Sequence, residues 1–351
     1  MEVIELSKTK TATKTMQAFV FEGVGKYKVK DLPVPRIKSE DEVLLKIESA
    51  GICGTDLHIC SVPPGHPAGE NVVLGHEFVG TIVEKGEDVS AFEIGDRVVA
   101  DPNLTCGHCR YCQDGMHNFC DNMTTLGIFI DGGFAEYTVT PYNALFKISG
   151  DVKPEYAALV EPLACVVNGT EKVKVQPGQA VLIIGAGPIG MLFLEMFKAS
   201  GAGKIFISEP QEFRASVARK AGATRVINPL KENLKDVIME ETGRGCDVIV
   251  DAVGSRIQDA MDCAAKGADI LLFGQNKNAR ASISQDRITR GEWRIIGTYI
   301  SRHNFPRAIK IIENGILSPD NVITDVLPLS EIEKGFEKMR SGKALKVIIK
   351  L

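Results

Sequence analysis

No stretch of the 351 residues approaches the ~20 consecutive apolar residues of a membrane-spanning helix, so no membrane association is expected. An excess of one charge is missing as well. Lys and Arg number 41 and Asp and Glu 45, a net charge of −4, which argues against nucleic acid as the main partner. No internal repeat and no low-complexity tract interrupts the chain. The first fifteen residues, MEVIELSKTKTATKT, lack the apolar core of a secretory signal and read as an N-terminal extension before the strand-like MQAFVFEG. The nine cysteines are an odd number in a long chain, which disfavours a disulfide framework and fits a reducing cytoplasm. What remains is the 44% hydrophobic, 25% charged composition of a soluble globular protein, long enough for two domains.

Four of those cysteines fall in one run, CGHCRYCQDGMHNFC: Cys106, Cys109, Cys112 and Cys120. The spacing is C-x2-C-x2-C-x7-C. Two intervening residues let a tight turn aim a pair of sulfurs at one ion, and the longer gap lets the chain return to close a tetrahedron, as in structural zinc sites. An iron–sulfur cluster is the rival for C-x2-C-x2-C. There the fourth cysteine follows after three residues and precedes proline, whereas here seven intervene and Asp121 follows.

Residues 16–150 read as short strands broken by Gly and Pro, such as DEVLLKIESAG, FVGTIVEKG and AEYTV, and predict a β-rich, barrel-like region with the cysteine lobe as an excursion. After residue 165 apolar strands alternate with helical patterns: QAVLIIG, PIGMLFLEMFKAS, KIFIS, EFRASVARKAG, TRVIN, KENLKDVIMEE, CDVIVDAVG, RIQDAMDCAAKG, ADILLFG. That alternation predicts parallel βαβ units. RAIKIIENG and LSEIEKGFEKMRSG look helical, and the strand KVIIKL is expected to fold back onto the first domain, because a lone strand needs a sheet.

Gly185-Ala-Gly187-Pro188-Ile189-Gly190 is a G-x-G-x-x-G between a buried strand and a helix, the context that a dinucleotide loop requires. Gly185 permits the tight turn, Gly187 lets the backbone approach a pyrophosphate, and Gly190 lets helix pack on strand. Pro188 suits the first helical turn. Glu209 ends the next strand nineteen residues on, where a carboxylate accepts from the ribose hydroxyls and repels a 2′-phosphate. NAD is therefore expected rather than NADP, with Arg214 one helical turn further as the feature that pulls the other way.

Cys53 in AGICGTDLH and His76 in VLGHEFVG are candidates for a second, open zinc site, with Glu77 and Glu161 (in VEPLACVV) as acidic candidates. Taken in order, GICGTDLH, LGHEFVG, GDRV, the four-cysteine lobe, DGGFAEY, EPLA and GAGPIG resemble the zinc-dependent medium-chain dehydrogenase/reductase superfamily, and within it the sorbitol (polyol) and threonine dehydrogenase branch. The resemblance runs from Met16 to Leu351. It implies an α/β fold: a GroES-like β-rich catalytic domain over 16–166 and 301–351, with a zinc lobe at about 101–123, and a Rossmann doubly wound parallel sheet over 167–300.

The resemblance also implies two zinc ions per chain. Cys53 and His76 would hold the catalytic one, with Glu77 and Glu161 as third ligand or water-holder, and the four lobe cysteines the structural one. Thr55 and His58 would form a proton relay, and Val253, Phe273, Gly274 and Thr298 would line the nicotinamide half. Cys60, Ser61, His66, Ile128, Tyr299 and His303 are candidates to face the substrate. The implied activity is hydride transfer from a secondary alcohol of a polyol or sugar to NAD. A threonine dehydrogenase, a simple secondary-alcohol dehydrogenase and a non-catalytic NAD(H)-binding protein are the alternatives. A small-molecule alcohol is the expected partner, and a tetramer or dimer the expected assembly. Sorbitol dehydrogenases carry an arginine where Ile300 stands in GTYISRHNFP, with Arg302 two residues on.

Overall fold

The structure is a computed structural model that describes residues 14–351; residues 1–13, most of the expected extension, lie outside the described residues. The first part runs β1 (Thr15–Gly23), β2 (Lys26–Pro33), β3 (Glu42–Gly51), α1 (Gly54–Ile59), β4 (Val72–Val73), β5 (Glu77–Lys85), β6 (Arg97–Ala100), β7 (Asn103–Leu104), α2 (Arg110–Gln113), β8 (Thr124–Thr125), β9 (Tyr137–Pro141), β10 (Leu145–Lys147), α3 (Pro154–Ala157) and α4 (Val160–Val173). Then come β11 (Ala180–Ile184), α5 (Pro188–Ala199), β12 (Lys204–Ser208), α6 (Glu212–Lys220), β13 (Arg225–Ile227), α7 (Leu234–Thr242), β14 (Cys246–Asp251), α8 (Ile257–Asp262), β15 (Ala264–Leu272), α9 (Gln285–Gly291) and β16 (Arg294–Gly297). The last elements are α10 (Phe305–Glu313), β17 (Ile323–Pro328), α11 (Ile332–Arg340) and β18 (Lys346–Lys350).

β3 organises the first part. Val43, Leu45 and Ile47 point into one core while Lys46 and Glu48 face outward, the period-2 alternation of a half-buried strand. It pairs antiparallel with β5, β9 and β18, in a seven-stranded sheet of order β10-β6-β5-β3-β18-β17 with β9 also on β3. β1 lies between β2 and β4 in a smaller sheet. β18 therefore sits beside the strand that leads into Cys53.

The second sheet is parallel throughout, in the order β13-β12-β11-β14-β15-β16, which is the doubly wound arrangement. Its strands are apolar on both faces because both are covered. Val181 and Ile183 of β11 join one core with α4, α5 and α10, while Leu182 and Ile184 join another with α7 and α8. The first of these cores also takes in Val79 and Val99 of β5 and β6. Leu163, Val166 and Val167 of α4 lie in it, so the helix is packed along its length and runs unbroken across the position 166/167 where a domain boundary was expected.

One local expectation fails, and one strand lies where none is expected. RIQDAMDCAAKG does not stay helical: α8 stops at Asp262 and β15 begins at Ala264, where pairing with β14 and a left-handed turn at Gly267 win over helix propensity. β17 was not foreseen; ITDVLP is half-exposed, shows weak alternation and becomes a strand because β18 lies parallel beside it.

Candidate active site

Cys53 is the N-cap of α1, and its thiol, the His76 ring and the Glu77 carboxyl place their ligand atoms within 4.8 Å of one another. Two turns of backbone arrange this. Asp56, three residues into α1, accepts the Cys53 N–H (2.8 Å) and so fixes the loop. Gly75 takes φ +94°, a left-handed conformation that L side chains rarely adopt, and a Cβ there would also strike the Phe134 ring at 2.7 Å. His76 and Glu77 follow it at 6% and 1% exposure.

The cluster fits a cation. His76 Nδ1 and Asp56 Oδ1 are buried without hydrogen-bond partners, 3.6 Å apart. Burial would push the His76 imidazole down, but Asp56 and Cys53 outweigh it and hold it well above its ordinary value. The same negative groups would also attract a metal ion, which would take the place of that proton. Glu161, at the start of α4, lies outside the 4.8 Å set. Its carboxyl is pushed up to about 7, first by burial and then by the neighbouring Glu77 charge. The Cys165 thiol donates to it at 3.6 Å. Thr55 Oγ1 lies 3.7 Å from Cys53 Sγ, and His58 is exposed one turn on.

β7 and β8 pair to close the neck of the cysteine lobe. All four sulfurs lie within 4.8 Å of one another, and none is in a disulfide. Cys106 and Cys120 are 3.6 Å apart at sulfur, close to the ~3.8 Å that a tetrahedron of Zn–S ≈ 2.3 Å requires. N–H groups point inward too: Cys106 N–H to Cys120 Sγ and Cys109 N–H to Cys106 Sγ, each 3.3 Å. The backbone around His108 and Cys109 pulls the Cys106 thiol down to about 6, whereas burial pushes Cys112 up to about 12. A metal ion replaces those thiol protons.

The glycine loop joins β11 to α5, whose first residues are Pro188 and Ile189. Gly185 has φ +99°, and a Cβ on Gly190 would meet the Gly185 carbonyl at 1.9 Å, while nothing lies within 4 Å of a Cβ on Gly187. The loop is thus closed toward the protein and open where a pyrophosphate would lie. Glu209 is buried, and both its oxygens accept backbone N–H groups, Ala186 at 2.9 Å and Gln211 at 2.8 Å, so it braces the loop. Each oxygen keeps a second lone pair for a hydroxyl. Arg214 Nε is buried without a partner. Val253, Phe273, Gly274 and Thr298 follow the carboxyl ends of β14, β15 and β16, the edge where such sheets bind ligands. Val253 packs on Gly185, and Phe273 meets Phe193 edge-on at 5.2 Å.

Residues 39–150 match the alcohol dehydrogenase GroES-like domain and residues 188–314 the zinc-binding dehydrogenase domain. The chain is 34% identical to D-arabinitol dehydrogenase 1 of Uromyces fabae, over 97% of this chain and 99% of the relative. This chain is a zinc-dependent medium-chain dehydrogenase. It is also 35% identical to an L-threonine 3-dehydrogenase of Caldanaerobacter subterraneus subsp. tengcongensis, covering 90% and 93% of the two chains. An alcohol dehydrogenase structure from Escherichia coli CFT073, complexed with NADH, superposes with a TM-score of 0.89 at 29% identity, covering 96% and 99%.

Two residues of this dehydrogenase escaped the sequence reading. Asp56 is fully buried beside His76, and its only local signal is the C-x-x-D of a capping box. Lys346 is 2% exposed; its ammonium pairs with Glu77 and donates to the Ile52 carbonyl at 2.9 Å. Nothing local in KALKVIIK marks it, since its partners lie more than 250 residues away. Of the candidate substrate-facing residues, Cys60 and Ile128 are buried, His66 is half-buried and Tyr299 is exposed. His303 packs edge-on against His117 of the lobe at 4.1 Å. Arg302 Nε donates to the Gly115 carbonyl of the lobe at 3.0 Å.

Among the described residues no helix is long and apolar enough to cross a membrane.

Proposed function

We propose that this dehydrogenase oxidises a secondary alcohol of a neutral polyol or sugar alcohol to the ketone with NAD, as a soluble cytoplasmic homo-oligomer. The observation that carries the reading is the three-donor cluster of Cys53, His76 and Glu77, with the Thr55 hydroxyl beside Cys53 and the exposed His58 one turn further along α1. A purely structural metal site has four protein ligands, and a non-catalytic binder has no use for a relay. The catalytic part is taken as 16–166 with 301–351, and the cofactor part as 167–300.

Cys53 and His76, with Glu77 or Glu161, would hold the catalytic ion, and Cys106, Cys109, Cys112 and Cys120 the structural one. When bound, zinc supplies a Lewis acid that eases loss of the alcohol proton, and NAD supplies the hydride acceptor. Thr55 passes that proton outward, and His58, exposed on the same face of α1, delivers it to solvent. Glu209 holds the loop that receives the pyrophosphate and disfavours a 2′-phosphate.

The D-arabinitol dehydrogenase relative favours the polyol; the L-threonine 3-dehydrogenase relative favours threonine as the second reading. Ile300, standing where sorbitol dehydrogenases carry an arginine, counts against sorbitol itself rather than against threonine, and Arg302 turns its Nε to the Gly115 carbonyl of the lobe. Production of NADH with a panel of pentitols, hexitols, 2,3-diols, 2-alcohols and L-threonine, repeated with NADP, tests the reading. Turnover confined to polyols or diols with NAD is expected. Preference for threonine would replace the polyol reading, and no turnover on any would end it.

A further inference from the structure

Helix α4 carries Glu161, Cys165, Asn168 and Lys172 at offsets of 4, 3 and 4 residues, which is one face of a 3.6-residue helix. Each uses that face. Glu161 and Cys165 contact one another beside the three-donor cluster, within reach of the Glu77 charge. Lys172 donates to the Gly297 carbonyl at 3.1 Å. Between them Asn168, 3% exposed, donates its amide to the Ile300 carbonyl at 2.6 Å and the Tyr299 carbonyl at 3.3 Å.

The segment so held, 298–304, joins the end of β16 to α10. Ile300 has φ +38° and His303 φ +58°, left-handed conformations at non-glycine residues, and a β-branched residue there is a genuine outlier. Such a corner persists only where its surroundings fix it. From the lobe, Asn118 donates to the same Tyr299 carbonyl at 3.1 Å, and Phe119 stacks parallel to the Tyr299 ring at 6.3 Å. From within, the Asn304 side chain accepts the Arg302 N–H at 2.8 Å. The strap thus touches the cofactor sheet, the lobe and α4. Only α4 also bears an acidic candidate of the metal site, Glu161, whose carboxyl lies just outside the three-donor set.

We propose that Asn168 is a positioning residue for substrate selection: it fixes the strap at Tyr299–Ile300 against the helix that carries Glu161, and so sets which alcohols reach the metal. This rests on the catalytic reading above. Nothing about Asn168 itself needs to touch substrate. Its two hydrogen bonds determine the register between the strap and Glu161, and a displacement near 1 Å in such a register is enough to change rates by on the order of 100-fold.

Asn168→Asp keeps the size of the side chain and replaces the donor by an acceptor facing two carbonyls. In the zinc-loaded enzyme we expect the ratio of kcat/KM between the best polyol and a short 2-alcohol to shift by ~10-fold or more. Zinc content should stay unchanged and NADH binding, followed by fluorescence, should stay within ~3-fold. Amide hydrogen exchange at 299–302 should accelerate. Asn168→Ser, neutral and smaller, serves if the aspartate variant does not fold. Equal loss on every alcohol, or a lower melting temperature with the ratio intact, would mean a structural role and overturn the proposal. Wild-type exchange at 299–302 would overturn it as well. If the native enzyme turns over no alcohol in the panel, the catalytic reading fails and selection with it, while the exchange measurement still decides whether Asn168 holds the strap.

Discussion

The two metal-ligand clusters are built in opposite ways. The lobe takes all four sulfurs from one run of fifteen residues, closed by a two-stranded neck, and its sulfurs are pre-arranged by their own backbone N–H groups. The other cluster takes Cys53 from the cap of α1, His76 from the loop before β5, Glu77 from the start of β5, and its countercharge from β18. A local site needs only its own loop. A distributed one needs the sheet first, and its donors stay chemically unequal: a thiol, an imidazole and a carboxylate already paired with an ammonium.

The sharpest way to break this comparison is Cys53→Ser. Loss of the ion's Lewis acidity is worth several kcal/mol, so kcat/KM should fall by ~1,000-fold or more, with zinc dropping from two to one per folded chain and the circular dichroism unchanged. Retained activity would show that the two clusters are not functionally distinct. Lys346→Met probes the distributed cluster through its countercharge. In the zinc-free protein Glu77 would be left buried and unpaired, lowering the unfolding free energy from urea titration by about 3–5 kcal/mol, and Glu77→Gln in the same chain should recover most of that loss.

Cys106→Ser examines the local cluster. One zinc should be lost and the half-life on heating shortened, while kcat per folded chain stays within ~10-fold, because the lobe reaches the rest through its neck and the strap. The smallest effect concerns Asp101, at the base of the lobe. Burial pushes its carboxyl up to about 6 from an ordinary 3.8. Between those values the folded chain binds more protons than the unfolded one, so this group's contribution to stability declines as pH rises through that window and stays low above it. Asp101→Asn should therefore stabilise the protein by about 1–3 kcal/mol near pH 8, with the gain vanishing near pH 4 in urea titrations.

The same contrast separates what could be read from the chain. The lobe was legible by spacing, because its ligands are sequence neighbours. The parallel sheet was legible because β11, β12 and β14 are apolar on both faces and alternate with helices. Cys53 and His76 stood out only as one thiol and one imidazole in glycine-flanked segments, and their relation came from the resemblance. Asp56 left only the weak C-x-x-D signal of a capping box, and Lys346 left none. A buried lysine is written like any surface lysine, and only the pairing of β18 with β3 turns it inward. Glu209 was located as a ribose group, but its grip on the Ala186 N–H depends on loop geometry that a strand-end position does not encode. The β17 strand stayed hidden because it is half-exposed and borrows its order from its neighbour.

The partnership of Glu77 with Lys346 spans 269 residues of chain. A ribosome adding about 5–20 residues each second takes roughly 15–50 seconds to travel that distance. Throughout that interval the nascent chain holds a carboxylate with no ammonium to meet it, and the groove between β3 and its missing neighbour is an open edge. The cysteine lobe, by contrast, has all four sulfurs once Cys120 has left the exit tunnel and its neck five residues later, at Thr125. One cluster can be metallated during translation; the other has its charge balance completed only after translation passes codon 346.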